Sequence, residues 1–516
     1  MREVKCGLVL PDFAAFKPVC RLAGAGHNGV AACNLPGRNR TGTNRQTMSP
    51  AAKPKIVAMI VASAIIMQQI DATVITTALP QMAISLATSP VRLSIAVTAY
   101  LLSLAVFVPI SGWAADRFGG RTVFRAAIAL FSLGSVLCGL SNTALELTAA
   151  RVLQGLGGAM MVPVGRLVLF RSIERSQLVR TMAYLQVPAQ LGPVLGPPIG
   201  GFITTYFSWR WIFLVNVPLG LLGIALVTRF FDNPRDDELR PLDWTGFLLT
   251  GVSLSCILYG IEAIGRGAGE AQWAVALLGT GALVGAFALR HLNRTPHPLL
   301  DLSIFRIPTF RASIGGGSLF RAGQGTLVFL LPLLLQVVFG MTAFASGIVT
   351  FATAVGSMSM KVTARPILKR FGFRTVMIIN CIISSATIAM CAFFAGSTPA
   401  LLIFALLLVA GFFQSLQLTA TQAIAYADIT NPRMSSATSI ASMAQQLSRG
   451  FGIAVVAVLL HLSFAFRGAT ELALTDFRVA FAGAALLALL CLAFCLPLAA
   501  DAGAEVSGHR PKSATP

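Results

Sequence analysis

Charge is the scarcest thing in this sequence of 516 residues. Asp, Glu, Lys and Arg make up 11% of it, against about a quarter in ordinary soluble domains. Acids are scarcest, 19 against 39 basic residues. With 55% apolar residues and a mean hydropathy of +0.77, that excludes a soluble globular domain and a disordered chain. Cysteine is sparse too. Cys6, Cys20 and Cys33 stand near the start, and the remaining six lie in apolar segments without a CxxC pair. This excludes a disulfide scaffold, and Cys491 and Cys495, one helical turn apart, read as packing residues. His291 and His297 fall in a polar loop and His461 at a helix end, which is not metal-ligand spacing. No GxxxxGK[ST] segment supplies an ATP motor, and no enzyme motif is present. Period-two alternation is missing as well. The apolar runs last about 20 residues, twice the length of a barrel strand, which excludes a transmembrane β-barrel.

What is present is a series of such runs. The sequence predicts an all-α membrane protein of 14 transmembrane helices, near 56–78, 93–115, 122–140, 145–169, 178–204, 209–229, 244–264, 272–290, 312–337, 344–366, 375–395, 399–425, 436–461 and 477–498. Residues 1–53 read as a disordered or mis-assigned leader. They do not resemble a signal peptide, and Met48, just before SPAAKPK, is a plausible start. A six-helix bundle is expected over 54–231, a linker with two inserted helices over 232–300, a second six-helix bundle over 301–500 and a tail over 501–516. Basic residues orient the chain. With both termini in the cytoplasm, the inner segments hold Lys53, Arg117, Arg121, Arg125, Arg171, Lys369, Arg370, Arg374, Arg433 and others. The outer segments hold only Arg92, Arg210, Arg266, Arg467 and Arg478.

The two bundles repeat. RFGGRT (Arg117–Thr122) and RFGFRT (Arg370–Thr375) each follow the second helix of a half. Gln190–Leu191 matches Gln446–Leu447 in the fifth helices, and Gly155 matches Gly411 in the fourth, at nearly the same offset. Two-half proteins of this kind bind substrate near the midplane and rock one half against the other.

Four segments carry more than hydropathy. Asp71, in IDATVITTALP of helix 1, is a carboxylate at a depth that costs from about 2.5 kcal/mol upward unless it pairs, protonates or faces water. The competing structural reading is a hydrogen bond to Gln68 or Thr73. Arg151, in LTAARVLQGLGGA of helix 4, needs an anion, backbone carbonyls or a wet cavity. Gly112, Asp116, Arg117, Gly119 and Arg121, in GWAADRFGGR, form a tight turn between helices 2 and 3. There Asp116 is suited to cap a helix or pair with arginines of the other bundle. Gly192, Pro193, Gly196, Pro197, Gly200 and Gly201 in helix 5 recur at four-residue spacing, which gives a smooth, kinkable face. Arg166, Arg321, Lys361 and Arg449 are further cations within spans. Arg166 and Lys361 read as snorkelling toward the inner face. Arg321 is the deepest, and with Gln324, Gln336, Gln68 and Gln417 it makes up the expected substrate-binding set. Glu262 ends helix 7, off the transport path.

Together the four segments resemble the major facilitator superfamily, and the fourteen-helix plan resembles its drug:proton antiporter branch. The resemblance covers nearly all of 54–498. Two departures stand out: Ala114 and Gly120 replace the usual Leu and basic residue, and Thr76 stands where Asn is common. The resemblance implies proton coupling through Asp71 and Arg151, gating by the Asp116 loop, and antiport from the helix 5 pattern. The expected function is proton-coupled export of small molecules from the inner membrane, with multidrug efflux leading. Export of an anionic metabolite such as a carboxylate is the alternative suggested by the buried cations, and a non-transporting sensor or scaffold is a further one. Expected partners are the lipid bilayer, a small-molecule substrate and protons. No nucleic acid, metal or cofactor is expected beyond use of the proton gradient, and the default is a monomer with any periplasmic adaptor left open.

Overall fold

Lipid offers no partners to backbone amides, so each apolar run must close its own hydrogen bonds as a helix. The computed structural model describes residues 53–88, 90–174, 177–232, 241–265, 271–467 and 473–509. The expected leader before 53, the acidic stretch 233–240 and the tail beyond 509 lie outside the described residues. So do the side chains of Thr76, Pro193, Pro197, Glu262, Arg449 and His461.

The first helices are α1 (Lys53–Ser85), α2 (Pro90–Phe107), α3 (Ile110–Phe118), α4 (Gly120–Leu140), α5 (Ala144–Arg171), α6 (Leu178–Tyr206), α7 (Trp211–Leu214) and α8 (Asn216–Phe230). Then come α9 (Trp244–Gly265) and α10 (Ala271–Arg294). The chain continues through α11 (Pro308–Arg311), α12 (Gly317–Gly325), α13 (Leu327–Leu333), α14 (Ala343–Met390), α15 (Ala400–Ile424), α16 (Met434–Arg467), α17 (Leu474–Leu489), α18 (Leu492–Cys495) and the short α19 (Ala504–Ser507). Among the described residues, 11 helices are long and apolar enough to cross a membrane, or 12 if α2 and α3, bent by 58° at Val108–Pro109, count as one. The expected count of fourteen is not reached by that measure. One reason is that α14 runs through two expected spans without a loop, turning only at Gly372.

Helices α1–α8 pack chiefly on one another, and α11–α18 do the same. The sequence repeat reappears as repeated geometry. Gly119 (φ 84°) and Gly372 (φ 72°) both take positive φ, which a Cβ would strain, and each breaks the helix after a half's second span. A Cβ on Gly155 would lie 2.8 Å from the Tyr100 carbonyl of α2, and one on Gly411 would collide with the Thr353 carbonyl of α14. In each half, therefore, a glycine lets the fourth span touch the backbone of the second.

Helix α9 lies against both α2 and α16. Phe247 meets Phe107 at 5.9 Å between ring centroids, and Leu258 and Ile261 lie over Gly450. The inserted helix thus covers the seam between the halves. Its partner α10 turns Trp273, Val275, Leu283, Phe287 and Leu289 outward, as a lipid-facing helix does.

One end of the molecule carries Arg117, Arg121, Arg171, Lys369, Arg370, Arg374 and Arg433, and is called the basic end below. There the halves touch. A Cβ on Gly112 would lie 2.9 Å from the Ser435 carbonyl, the Ser111 and Ser439 hydroxyls are 3.0 Å apart, and the Phe170 and Tyr426 rings pack tilted with centroids 4.6 Å apart.

Candidate functional site

Asp71 lies on α1 with no side-chain exposure, and so does Arg151 on α5. Arg151 Nη1 donates to Asp71 Oδ2 at 2.7 Å and to Gln154 Oε1 at 2.7 Å. Gln154 Nε2 donates to Asp71 Oδ1 at 2.8 Å and to the Ser135 hydroxyl at 2.8 Å. Asn216, at the start of α8, donates to the same Asp71 oxygen at 3.2 Å and to Ser135 at 3.2 Å. The guanidinium carbon of Arg151 sits 4.0 Å from the Tyr100 ring centroid. A buried carboxylate is thereby balanced by one cation, two amides and an aromatic face, drawn from α1, α2, α4, α5 and α8.

The sequence brought Asp71 and Arg151 forward separately, and the structure joins them. It also corrects the proposed structural partners of Asp71. Gln68 instead donates to the Gly158 carbonyl (3.3 Å), and Thr73 to the Gln69 carbonyl (2.9 Å) and the Gly192 carbonyl (3.2 Å). Ser135 and Asn216 were missed, because each stands alone as a small polar residue in an apolar run. Gln154 had a signal, one helical turn from Arg151.

Helix α6 lies flat on α1. A Cβ on Gly192 would strike Gln69, and one on Gly196 would strike the Thr73 hydroxyl, whereas Gly201 faces open space. Thr204 donates to the Gly200 carbonyl at 2.9 Å. The helix runs from Leu178 to Tyr206 without a break. Gly192 and Gly196 therefore form a close-packing surface against α1.

At the basic end, Asp116 pairs with Arg171 at 3.0 Å. That arginine belongs to α5, so this ion pair lies within the first half. Arg121 reaches the Thr228 carbonyl at 2.5 Å, and Arg117 lies over the Trp113 and Phe118 rings. Asp116, Arg117 and Trp113 share a recess with Ser435 and Ser436, at the start of α16, and with Asp243 and His297. Asp243 caps α9. Burial alone would push its carboxyl up, but the Gly246 and Leu299 amides and the His291 ring (2.8 Å) hold it below the ordinary carboxylate range.

The expected substrate set is drawn from α1, α12, the turn at Leu334–Val338 and α15. Arg321 is buried on α12, beside Gly317. Gln324 donates to Gln414 at 3.3 Å. Gln417 is buried but turns to the Cys491 sulfur at 3.8 Å, and Gln336 is exposed in a π-helical turn at Leu334–Val338. Those last two placements follow from helical phase, which the one-dimensional pattern left open. Arg166 departs from the snorkelling expectation as well. It is 7% exposed and donates across the halves to Gln445 at 3.3 Å. Lys361 also has a buried Nζ, with no hydrogen bond among the described residues. Among those residues no group of three or more metal-ligating side chains converges.

The profile of the Major Facilitator Superfamily matches residues 61–452 and 313–515. The chain is 35% identical over 404 residues to the "Putative multidrug resistance protein MdtD" of Pectobacterium atrosepticum, covering 78% of this chain and 86% of that one. It is 36% identical over 406 residues to the protein of the same name from Citrobacter koseri, covering 78% and 85%. Among solved structures it resembles the human organic anion transporter MFSD10 (TM-score 0.60, 15% identity, 86% of this chain and 99% of that one). It also resembles the proton:xylose symporter XylE (TM-score 0.57, 14% identity, 87% and 97%). At that identity the structural likeness shows the fold alone.

Proposed function

Because the chain belongs to the Major Facilitator Superfamily, and so is a membrane transporter rather than an enzyme, we propose that it exports small molecules in exchange for protons. The observation that carries this reading is the enclosed Asp71–Arg151 pair with its amide partners Gln154 and Asn216. A carboxylate in that setting exists either ionised and clamped, or protonated and released. Protonation removes the attraction that holds Arg151, which keeps its bond to Gln154 and its contact with Tyr100. The five elements that meet at Asp71 are then free to shift against one another. The basic end faces the cytoplasm in this reading, both termini with it, and the membrane is the bacterial inner membrane. Contacts at Gly112, Ser111 and Phe170 close that end, while the Asp116 loop braces α3 against α5 and the start of α16.

Multidrug compounds are the leading substrate class, from the names of the relatives. An anionic substrate is the second reading, favoured by the buried Arg166, Arg321 and Lys361. Proton release from energised everted vesicles on adding lipophilic cations or carboxylates tests both. Wild type is expected to respond to at least one class and Asp71→Asn to neither. A full response from Asp71→Asn removes Asp71 from the coupling path. A wild-type protein that binds but moves neither protons nor substrate supports the sensor alternative.

A further inference from the structure

We infer that Gln324 and Gln414 are the uncharged counterpart, in the second half, of the Asp71 site in the first, and that this pair of carboxamides takes a neutral oxygen (carbonyl, ether or hydroxyl) of the transported compound. The inference rests on the transport reading above and names the chemistry of one substrate contact within it.

The sequence repeat gives the correspondence. Gln324 precedes RFGFRT by as many residues as Asp71 precedes RFGGRT. Counted in the same way from Gly155 and Gly411, Leu407 stands where Arg151 does. Both members of the buried ion pair are thus replaced together, and Leu407 is fully buried. Replacing only one would strand a buried charge. The hydrogen bond persists without the charge. In the first half Gln154, from the fourth span, bonds Asp71 of the first span at 2.8 Å. In the second half Gln324, on α12 of the first span, donates to Gln414, on α15 of the fourth, at 3.3 Å. Gln414 lies one helical turn beyond Ala410, the counterpart of Gln154.

The two sites differ in what they leave unused. Both oxygens of Asp71 are bonded. Gln414 is 3% exposed, and its buried Nε2 has no hydrogen bond among the described residues. A buried donor without an acceptor is penalised, and an apolar side chain there would avoid the penalty. The unused donor therefore points to an acceptor that comes from outside the chain. Access exists beside it. Gln324 is half-buried, and a Cβ on the adjacent Gly325 would meet nothing within 4 Å. Gln414 thus stands behind a residue that borders open space. A carboxamide offers a donor and an acceptor without charge, which suits a neutral oxygen and cannot take up a coupling proton at neutral pH. The first half then carries the titrating group and the second half a fixed hydrogen-bonding one.

The test uses the full chain in phosphatidylcholine nanodiscs and two probes of equal charge, tetraphenylphosphonium and its para-acetyl analogue, which differ by one carbonyl-bearing group. Binding is read by calorimetry without a proton gradient, with empty discs subtracted. Its failure is therefore separate from a failure of proton release in the vesicle assay. Wild type is expected to bind the acetyl compound about fivefold tighter than the parent, the ratio that one net hydrogen bond supplies. Gln414→Met and Gln324→Met should each erase that preference. A purely structural role would weaken both probes alike and leave the ratio intact. A melting transition without ligand certifies each variant as folded, and Gln324→Met carries the test if Gln414→Met does not fold. The inference is overturned if the acetyl compound binds no better than the parent or not at all, or if the ratio survives both substitutions.

Discussion

Asp71 and Arg151 lie 80 residues apart in the chain and 2.7 Å apart in space, both without exposed side-chain surface. Such a pair contributes little net stability against an apolar replacement, but breaking it is costly, because one charge stays behind unpaired. Arg151→Leu should therefore cost about 3–5 kcal/mol, a loss visible as a lower melting temperature in detergent. The double variant Asp71→Leu/Arg151→Leu should recover most of that loss while remaining inactive in the vesicle assay. A single variant that melts with wild type would mean the pair is not formed in the dominant state. Asn216 and Ser135 are the further test at this scale. Asn216→Leu removes a donor from the charged Asp71, so flux in the vesicle assay should fall, and unchanged flux would take Asn216 out of the coupling site.

Helix α6 is held to α1 by the absence of side chains at Gly192 and Gly196. Gly196→Ala places a methyl group against the Thr73 hydroxyl, and overpacking of this kind costs about 1–3 kcal/mol. Adding Thr73→Ala should restore the melting temperature, because it removes the atom in the way. If the double variant remains as unstable as the single, the contact is not where the glycine matters. The inserted pair has its own fixture. Asp243 ties the start of α9 to His291 of α10 and to the Leu299 amide. Its carboxyl titrates below the ordinary range, so the stability it adds is full above the unfolded value and is lost as pH falls through the folded one. Asp243→Ala should thus melt below wild type at neutral pH, and the gap should narrow as the pH is lowered through the carboxylate range. A gap independent of pH would reduce Asp243 to a neutral cap.

Across the whole molecule, the two halves meet at the basic end, among the described residues, through hydroxyls, a glycine, an aromatic pair and the Arg166–Gln445 hydrogen bond. These are weak contacts that can part during a rocking motion. The Ser111 and Ser439 oxygens are 3.0 Å apart, close enough for cysteines at both positions to bridge. Oxidation of Ser111→Cys/Ser439→Cys should stop flux, and reduction should restore it. Continued flux with the bridge formed would show that this end does not have to open. Helix α9, laid along α2 and α16, should move with one half or slide on both, since it crosses the seam that opens.

The helical class, the membrane setting and the two-fold repeat are legible along the chain, because they depend on hydropathy and local backbone demands. RFGGRT and RFGFRT each set a glycine at positive φ, and Gly155 and Gly411 each mark a close crossing. The sequence also singles out Asp71 and Arg151, since a charge deep in an apolar run is costly wherever the helix points. Partners were a different matter. Which residues surround Asp71, that Gln417 turns to Cys491 while Gln336 is exposed, and that Arg166 crosses to Gln445 depend on helix rotation and on packing between distant segments. These emerge with packing, because hydropathy fixes where a helix lies in the membrane while the neighbouring helices fix which way each of its faces turns.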